Sequence, residues 1–473
     1  MQPSEEQWDR FSIYARRMRA ITEPRAFLPS RDAIQLLSAR FSTKPMLPLL
    51  RSLDWVLVPS TRLQTCVPLL VSPHLAHVRL YFGDNSPERC LPVIETLIDA
   101  AGSLESVEII PEFDRPEMQD AVSKLLLSCN PNLLSRFCVA SPISEAALLH
   151  AAQLPELREF SVRGGTPGLS DPLPLTMFPS LRTILISIGG LPTWLEVLRH
   201  IQSKHLTDLS IDFEAGDDDN LPAISSHLQY SGIHRTLTEL RLCPGEGWII
   251  DRVSIAPLLV LGELTSLAIF TDCGEDQCIF LLSDKDIERL VKAMPKLEAL
   301  SLGTPCPEQV RDNLTVKSLL AIAKHCKALE TLEMHINCES IVTSTDGREF
   351  PGLFDFYTRV PSEAISSDYG GCPLRSAIFG SCPIPMDGEG GIILALTLLR
   401  LFPRLSEVRW YPFETLTPWL SVGAILADNS RVRRSLAELG ELVYLYSYGI
   451  GLIMSQLINL PSSYKLPFSP HDS

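Results

Sequence analysis

The sequence of 473 residues has no Cys-x-x-Cys pair. Its twelve cysteines are scattered from Cys66 to Cys382, and the closest two, Cys273 and Cys278, fit no usual zinc spacing. This excludes a disulfide-dense secreted scaffold and points to free thiols packed as small apolar residues in a reducing compartment. Cytoplasmic or nuclear residence is the expectation. Positive charge is also in short supply. Forty-one Lys and Arg against 56 Asp and Glu give a net charge of −15, and no local basic stripe offsets it, so general nucleic-acid binding is excluded. Aromatic residues make up only 7%, but 45% of the chain is apolar, enough to build a core and to exclude a mainly disordered chain.

The first residues, MQPSEEQWDRFSIYARRMR, lack the apolar stretch of a secretory signal. The motifs of common enzymes are missing as well: no Gly-x-Ser-x-Gly elbow, no phosphate loop ending in Gly-Lys and no His-Glu-x-x-His. One long uncharged run, Leu442 to Leu460, reaches the length of a minimal membrane span. Three tyrosines, two serines, Gln456, Asn459 and two glycines dilute it, so it reads as a buried end-cap or terminal extension, with a tail anchor as the alternative.

What the sequence does contain is a repeat. The pattern Leu-x-x-apolar-x-apolar begins at Leu50, Leu53 and Trp55 and returns with first residues Leu75, Leu104, Leu134, Leu157, Leu181, Leu206, Leu237, Leu264, Leu297, Leu329, Leu374 and Leu405. The mean period is about 30 residues, at the long end for leucine-rich repeats. Four copies are introduced by the same Pro-x-Leu phrase, at Pro155, Pro179, Pro295 and Pro403. Alternation at the second and third apolar positions puts both side chains on one face of a short strand, which must stack on its neighbours to bury that face.

Segments between the copies carry helical spacing: Leu91, Ile94, Leu97 and Ile98; then Ile287, Leu290, Val291 and Met294, with Ser283 as N-cap; then Val316 to Cys326. Each unit therefore predicts a strand, a loop, a helix and a return loop. The expected fold is an α/β leucine-rich-repeat solenoid, a curved horseshoe with parallel strands on the concave face and helices on the convex face. Residues 1–45 are expected to form a helical N-terminal cap, from helices over Glu5–Arg19 and Arg31–Phe41. Residues 46–426 form the solenoid of about 13 units, with 340–369 an inserted loop, and 427–473 form a C-terminal helix and apolar tail. The Asn or Cys that usually follows the strand in such repeats is present only as Asn337 and Cys382, so the bends are individually built.

Trp8-Asp9-Arg10-Phe11, Tyr14-Ala15-Arg16-Arg17, the phrase Leu47-Pro48-Leu49-Leu50-Arg51-Ser52-Leu53-Asp54-Trp55 and the Pro-x-Leu strands resemble the leucine-rich-repeat proteins related to fungal F-box proteins. The resemblance implies a substrate receptor or scaffold whose repeats hold a protein for ubiquitination. It also implies an F-box, three helices opening on a Leu-Pro phrase that dock on the Skp adaptor of a cullin ligase. No F-box is recognisable here: the residues after Leu28-Pro29 run directly into the first repeat.

Other chemistry is weakly signalled. Gly388-Glu389-Gly390-Gly391 reads as a flexible turn, and His74 and His77 fall on opposite faces of a strand start, unsuited to one metal. Asp212, Glu214 and Asp217 to Asp219 read as a solvated acidic bend without the Gly and Glu of a calcium loop. The expectation is a non-enzymatic chain with no cofactor and no metal.

The surface with recognition potential is the concave face. Its outward positions hold Asp54, His77, Arg136, Glu159 and Glu407, together with the candidates for partner binding: Arg79, Tyr81, Glu108, Arg163, Asp208, Asp212, Glu239, Arg241, Phe270, Glu333, His335, Arg409 and Tyr411. Mixed charge with interspersed aromatics suits a folded protein or a peptide. A parallel sheet normally has both faces covered.

Overall fold

The computed structural model describes residues 3–22, 31–41, 44–56, 67–83, 87–111, 115–164, 173–174, 177–188, 191–201, 203–213, 221–230, 232–243, 249–270, 279–303, 314–337, 371–379, 394, 397–398 and 401–410. Each of the thirteen pattern copies becomes a strand. In chain order the strands are β1 (Ala20–Thr22), β2 (Ser52–Val56), β3 (His77–Gly83), β4 (Ser106–Pro111), β5 (Arg136–Val139), β6 (Glu159–Arg163), β7 (Thr183–Ile188), β8 (Asp208–Phe213), β9 (Glu239–Cys243), β10 (Ile249–Ile250), β11 (Ser266–Ile269), β12 (Ile279–Phe280), β13 (Ala299–Leu302), β14 (Thr331–Met334), β15 (Ser376–Phe379) and β16 (Glu407–Trp410). Fourteen of them form one open sheet in sequence order, while β10 and β12 pair with each other outside it. Every pairing in the large sheet is parallel.

The leucine pattern sets the register. Leu53 lies opposite Val78, Val78 opposite Val107, and the row continues through Phe137, Phe160, Ile184, Leu209, Leu240, Leu267, Leu300, Leu332 and Ala377 to Val408. From Leu53 to Ala377 this row is buried. A side chain of this size contributes about 1.5–3 kcal/mol on full burial, so a one-residue slip that turned the row to solvent would be costly.

A backbone seam runs along the strand entries. The carbonyl of Arg51 accepts from the N–H groups of Ala76 and His77, and that of Ala76 from Glu105 and Ser106. The same two-donor arrangement continues to Arg375, which accepts from Ser406 and Glu407. Hydroxyls reinforce it: Ser135 donates to the Glu105 carbonyl, Thr238 to Thr207, and Thr265 to Thr238. The seam crosses the longest gap between repeats intact, since Arg375 and Ser376 donate to Glu330. The expected insertion at 340–369 lies outside the described residues.

Helices complete the units on the other face, including Pro87–Ala100, Pro116–Ser128, Glu145–Gln153, Leu191–His200, Leu221–Tyr230, Asp284–Ala293 and Val316–His325. Ser283 and Asp286 form a reciprocal capping box at the start of Asp284–Ala293, and Thr315 caps Val316–His325. Asp284 also accepts from the Thr315 amide and hydroxyl and from the Ser318 hydroxyl, tying one repeat's helix to the next. Phe137, Phe160 and Phe178 pack in sequence beneath the sheet, with ring centroids 6.4 and 5.3 Å apart. The molecule is an α/β leucine-rich-repeat solenoid with an open, curved parallel sheet on one side and helices on the other.

The N-terminal region contains the two expected helices, Glu5–Ala15 and Arg31–Arg40. Trp8, Phe11 and Phe41 cluster with centroids 5.7–6.0 Å apart, and the Arg40 guanidinium lies 5.8 Å over Trp8. Between the helices lies a strand the sequence pattern did not announce. β1 pairs with β2, Ile21 opposite Leu53, and Arg19 extends the seam by accepting from Arg51 and Ser52. This stretch therefore also supplies the sheet's first strand. Among the described residues no helix is long and apolar enough to cross a membrane. Leu442–Leu460 lies outside them, as do Gly388–Gly391 and the acidic positions 214 and 217–219.

Candidate functional site

Strand geometry builds the open face of the sheet directly. With inward positions fixed by the buried rows, the alternate residues of each strand project away from the helices, and parallel register aligns them into columns across the sheet. One column runs Asp54, Arg79, Glu108, Cys138, Ser161, Leu185, Ser210, Arg241, Ala268, Ser301 and Glu333. A second includes His77, Ser106, Arg136, Glu159, Thr183, Asp208, Glu239 and Ser266. Strands about 4.8 Å apart bring charges on adjacent columns within ion-pair reach.

On β3 to β6 that reach is used. Arg79 Nε lies 3.0 Å from Glu108 Oε1, Arg136 Nη2 3.1 Å from Glu108 Oε2, and Arg136 Nε 3.1 Å from Glu159 Oε2. Two arginines and two carboxylates thus form one alternating chain. Tyr81 stands on β3 with 38% of its surface exposed, and Arg163 is exposed at the end of β6.

The pattern changes from β7 onward. Asp208 and Glu239 occupy paired positions on β8 and β9. Asp208 Oδ2 accepts from the Thr183 and Thr207 hydroxyls. Burial first, and then the neighbouring Asp208, push the Glu239 carboxyl above the usual range. Arg241 lies 5.0 Å over the Phe270 ring, with Nε 3.4 Å from Cys243 Sγ. Asp212 is half-buried opposite Cys243, and its Oδ1 has no hydrogen-bond partner. Farther on, Glu333 accepts from the Ser301 hydroxyl at 2.9 Å.

Two candidates stand apart. His335 is buried, only 4% exposed, which corrects its expected outward place. β14 ends at Met334, alternation stops there, and residues 334 to 336 are all enclosed. Arg409 lies on β16 opposite Ile378, and Tyr411 lies outside the described residues. An apolar residue outside the charged and aromatic candidates also lies on this face: Leu185, at the outward centre of β7, is 38% exposed. Its position in the repeat was the available signal.

The described free thiols are poorly suited to nucleophilic chemistry. Burial pushes Cys90, Cys243 and Cys372 up to about 11, and Cys129 and Cys326 up to about 12, leaving them protonated at neutral pH. Among the described residues, no group of three or more His, Cys, Asp or Glu is placed to hold a metal ion.

No family model matches the chain, and no curated protein matches it. Among solved structures, the leucine-rich-repeat-containing protein LegL7 from Legionella pneumophila is similar at 12% identity and a TM-score of 0.29, over 81% of this chain and 97% of that one. A protein from Bacteroides fragilis is similar at 13% identity and a TM-score of 0.23, over 66% of this chain and 67% of that one. The fold assignment rests on the strand order and register themselves.

Proposed function

We propose that this chain is a non-enzymatic interaction solenoid whose open sheet face holds a protein or peptide. The observation that carries the reading is the sheet itself. Among the described elements, helices cover one face, while the other presents aligned columns of charge with Tyr81, Leu185 and Phe270 among them. Such a surface combines sign-specific contacts with apolar anchors and offers far more area than a small-molecule pocket. The buried, protonated thiols support a binding role over nucleophilic catalysis.

The candidate contact residues are Arg79, Tyr81, Glu108, Arg163, Asp208, Asp212, Glu239, Arg241, Phe270 and Glu333, with Arg409 on β16 and, from the repeat pattern alone, Tyr411. A photo-crosslinking amino acid at position 185 or 301 should capture a partner in cells, whereas the same group at exposed Lys285 or Lys317 on the helical side should not. Capture from the helical positions alone would reject the reading.

A finer reading, a substrate receptor or scaffold in ubiquitin-dependent degradation, is supported by the resemblance of the Trp8 to Arg17 and Leu47 to Trp55 phrases to F-box-type repeat proteins. Recovery of the Skp adaptor with the full-length chain would support it. Failure to recover that adaptor under conditions that retain other partners would count against it.

A further inference from the structure

The rim of the solenoid where the strands begin carries charge of its own. Parallel register stacks residues there as it does on the open face. Arg158 and Arg182 each stand one residue before the paired Glu159 and Thr183, and the Arg182 amide donates to the Arg158 carbonyl at 2.7 Å. Lys204 and Arg235 each stand four residues before the paired Asp208 and Glu239. All four residues are exposed. Four consecutive repeats, β6 to β9, thus each place a cation on one rim. The absence of a basic stripe holds for the linear sequence and not for this rim, because each repeat contributes a single Lys or Arg to it.

Most of this charge is uncompensated. Glu156 lies 3.6 Å from Arg158, but among the described residues Arg182, Lys204 and Arg235 form no ion pair. Asp208, at the start of β8, accepts from the Thr183 and Thr207 hydroxyls instead, and Glu239 lies opposite Asp208. Farther along the same rim cations do find carboxylates: Lys296 pairs with Glu263, and Arg375 lies 4.0 Å from Glu330. On a chain of net charge −15, three unpaired cations on adjacent repeats create a local field of the opposite sign to the rest of the molecule.

We infer that this rim binds a short acidic segment of a protein partner, laid across β6 to β9 with its carboxylates on Arg158, Arg182, Lys204 and Arg235. The inference goes beyond the open-face reading, because it concerns a different surface and does not require the sheet face to be occupied. Length and spacing favour a peptide. Strands about 4.8 Å apart give the stripe a length of about 14 Å, and three acidic residues at alternate positions of an extended segment span about 13 Å. Arginine and lysine at the rim offer charge-assisted hydrogen bonds to such carboxylates. A nucleic acid would continue past the stripe onto a surface of the opposing sign, whereas a short acidic segment ends where the stripe ends.

The test is selection of a random dodecapeptide display library on the full-length chain, with a chelator present so that no metal bridges carboxylates to the protein. Selected peptides are titrated by fluorescence polarisation against wild type, the R182Q/K204Q double variant and a control, K124Q/K285Q, that removes the same charge from the helical side. Neither Arg182 nor Lys204 uses its side chain in a hydrogen bond or ion pair among the described residues, so the rim variant keeps the fold. We expect the peptides to be enriched in Asp and Glu at alternate positions. Their binding should weaken about tenfold or more in R182Q/K204Q, stay within about twofold of wild type in the control, and fall as salt is raised. Acidic peptides that bind R182Q/K204Q as tightly as wild type would overturn the inference. So would oligothymidylate that binds more tightly than any peptide and needs the same two cations. Peptides without acidic enrichment that are lost on Leu185→Asp would overturn the rim site and leave the open-face reading standing.

Discussion

Asp208 and Glu239 face each other directly across β8 and β9, two carboxylates in register on one face of a parallel pair. Burial first, and then the like charge of Asp208 opposite, raise the Glu239 carboxyl above its ordinary value. A raised carboxyl costs folding stability once pH exceeds its folded pKa, and costs nothing below the unfolded value. Glu239→Gln should therefore raise the melting temperature at pH 7, by no more than about 1 kcal/mol of stability for a surface pair. The gain should vanish near pH 4. Thermal melts at the two pH values check this, and an equal gain at both would contradict it.

Beside that pair, Leu240 belongs to the continuous inward row and is 1% exposed. Leu240→Ala should cost about 2–5 kcal/mol, the range for truncating a buried leucine. Urea unfolding of the full chain measures it, and a loss below 1 kcal/mol would place Leu240 outside the packed core.

Asp284 joins two repeats by accepting three hydrogen bonds from Thr315 and Ser318 at the head of the next helix. Asp284→Ala leaves those donors unsatisfied and should destabilise by about 1–3 kcal/mol. Amide exchange should accelerate first over Val316–His325. Uniform acceleration along the chain would show that the contact is not a local tie.

His150, His227 and His325 each have an Nε2 shielded from solvent without a hydrogen-bond partner, and burial is the leading cause that holds all three below the usual histidine value. The fold keeps them neutral, so the unfolded chain takes up protons first as pH falls through about 6.5. Stability should therefore decline between pH 7.5 and 5.5. His227→Gln should flatten part of that slope in a series of melts, and an unchanged slope would remove His227 from the account.

The thirteen strands were legible because one physical requirement, two apolar side chains on the same face of every strand, recurs as a fixed phrase. β1 escaped notice because only Ile21 of its three residues is apolar and half-buried, while Ala20 and Thr22 are exposed. The hydroxyls that reinforce the seam, including Ser135, Thr238 and Thr265, immediately follow the first leucine of their repeats and were available as a signal. Charge on the open face could be located but not apportioned. Sequence spacing puts Arg79, Glu108, Arg136 and Glu159 outward, yet only the structure reveals that these four form ion pairs with one another while Asp208 and Glu239 face each other. His335 shows the limit of extrapolating alternation, since the rule ends where the strand ends.

The central claim is that the open sheet face, rather than the helical side, recognises a partner. The most direct measurement is the affinity of a captured partner for two charge-altered chains that both still melt cooperatively above the assay temperature. One is Glu239→Arg with Arg241→Glu on the sheet; the other is Lys285→Glu with Lys124→Glu on the helical side. We predict that binding is lost in the first and kept in the second. Binding kept in the first and lost in the second would contradict it.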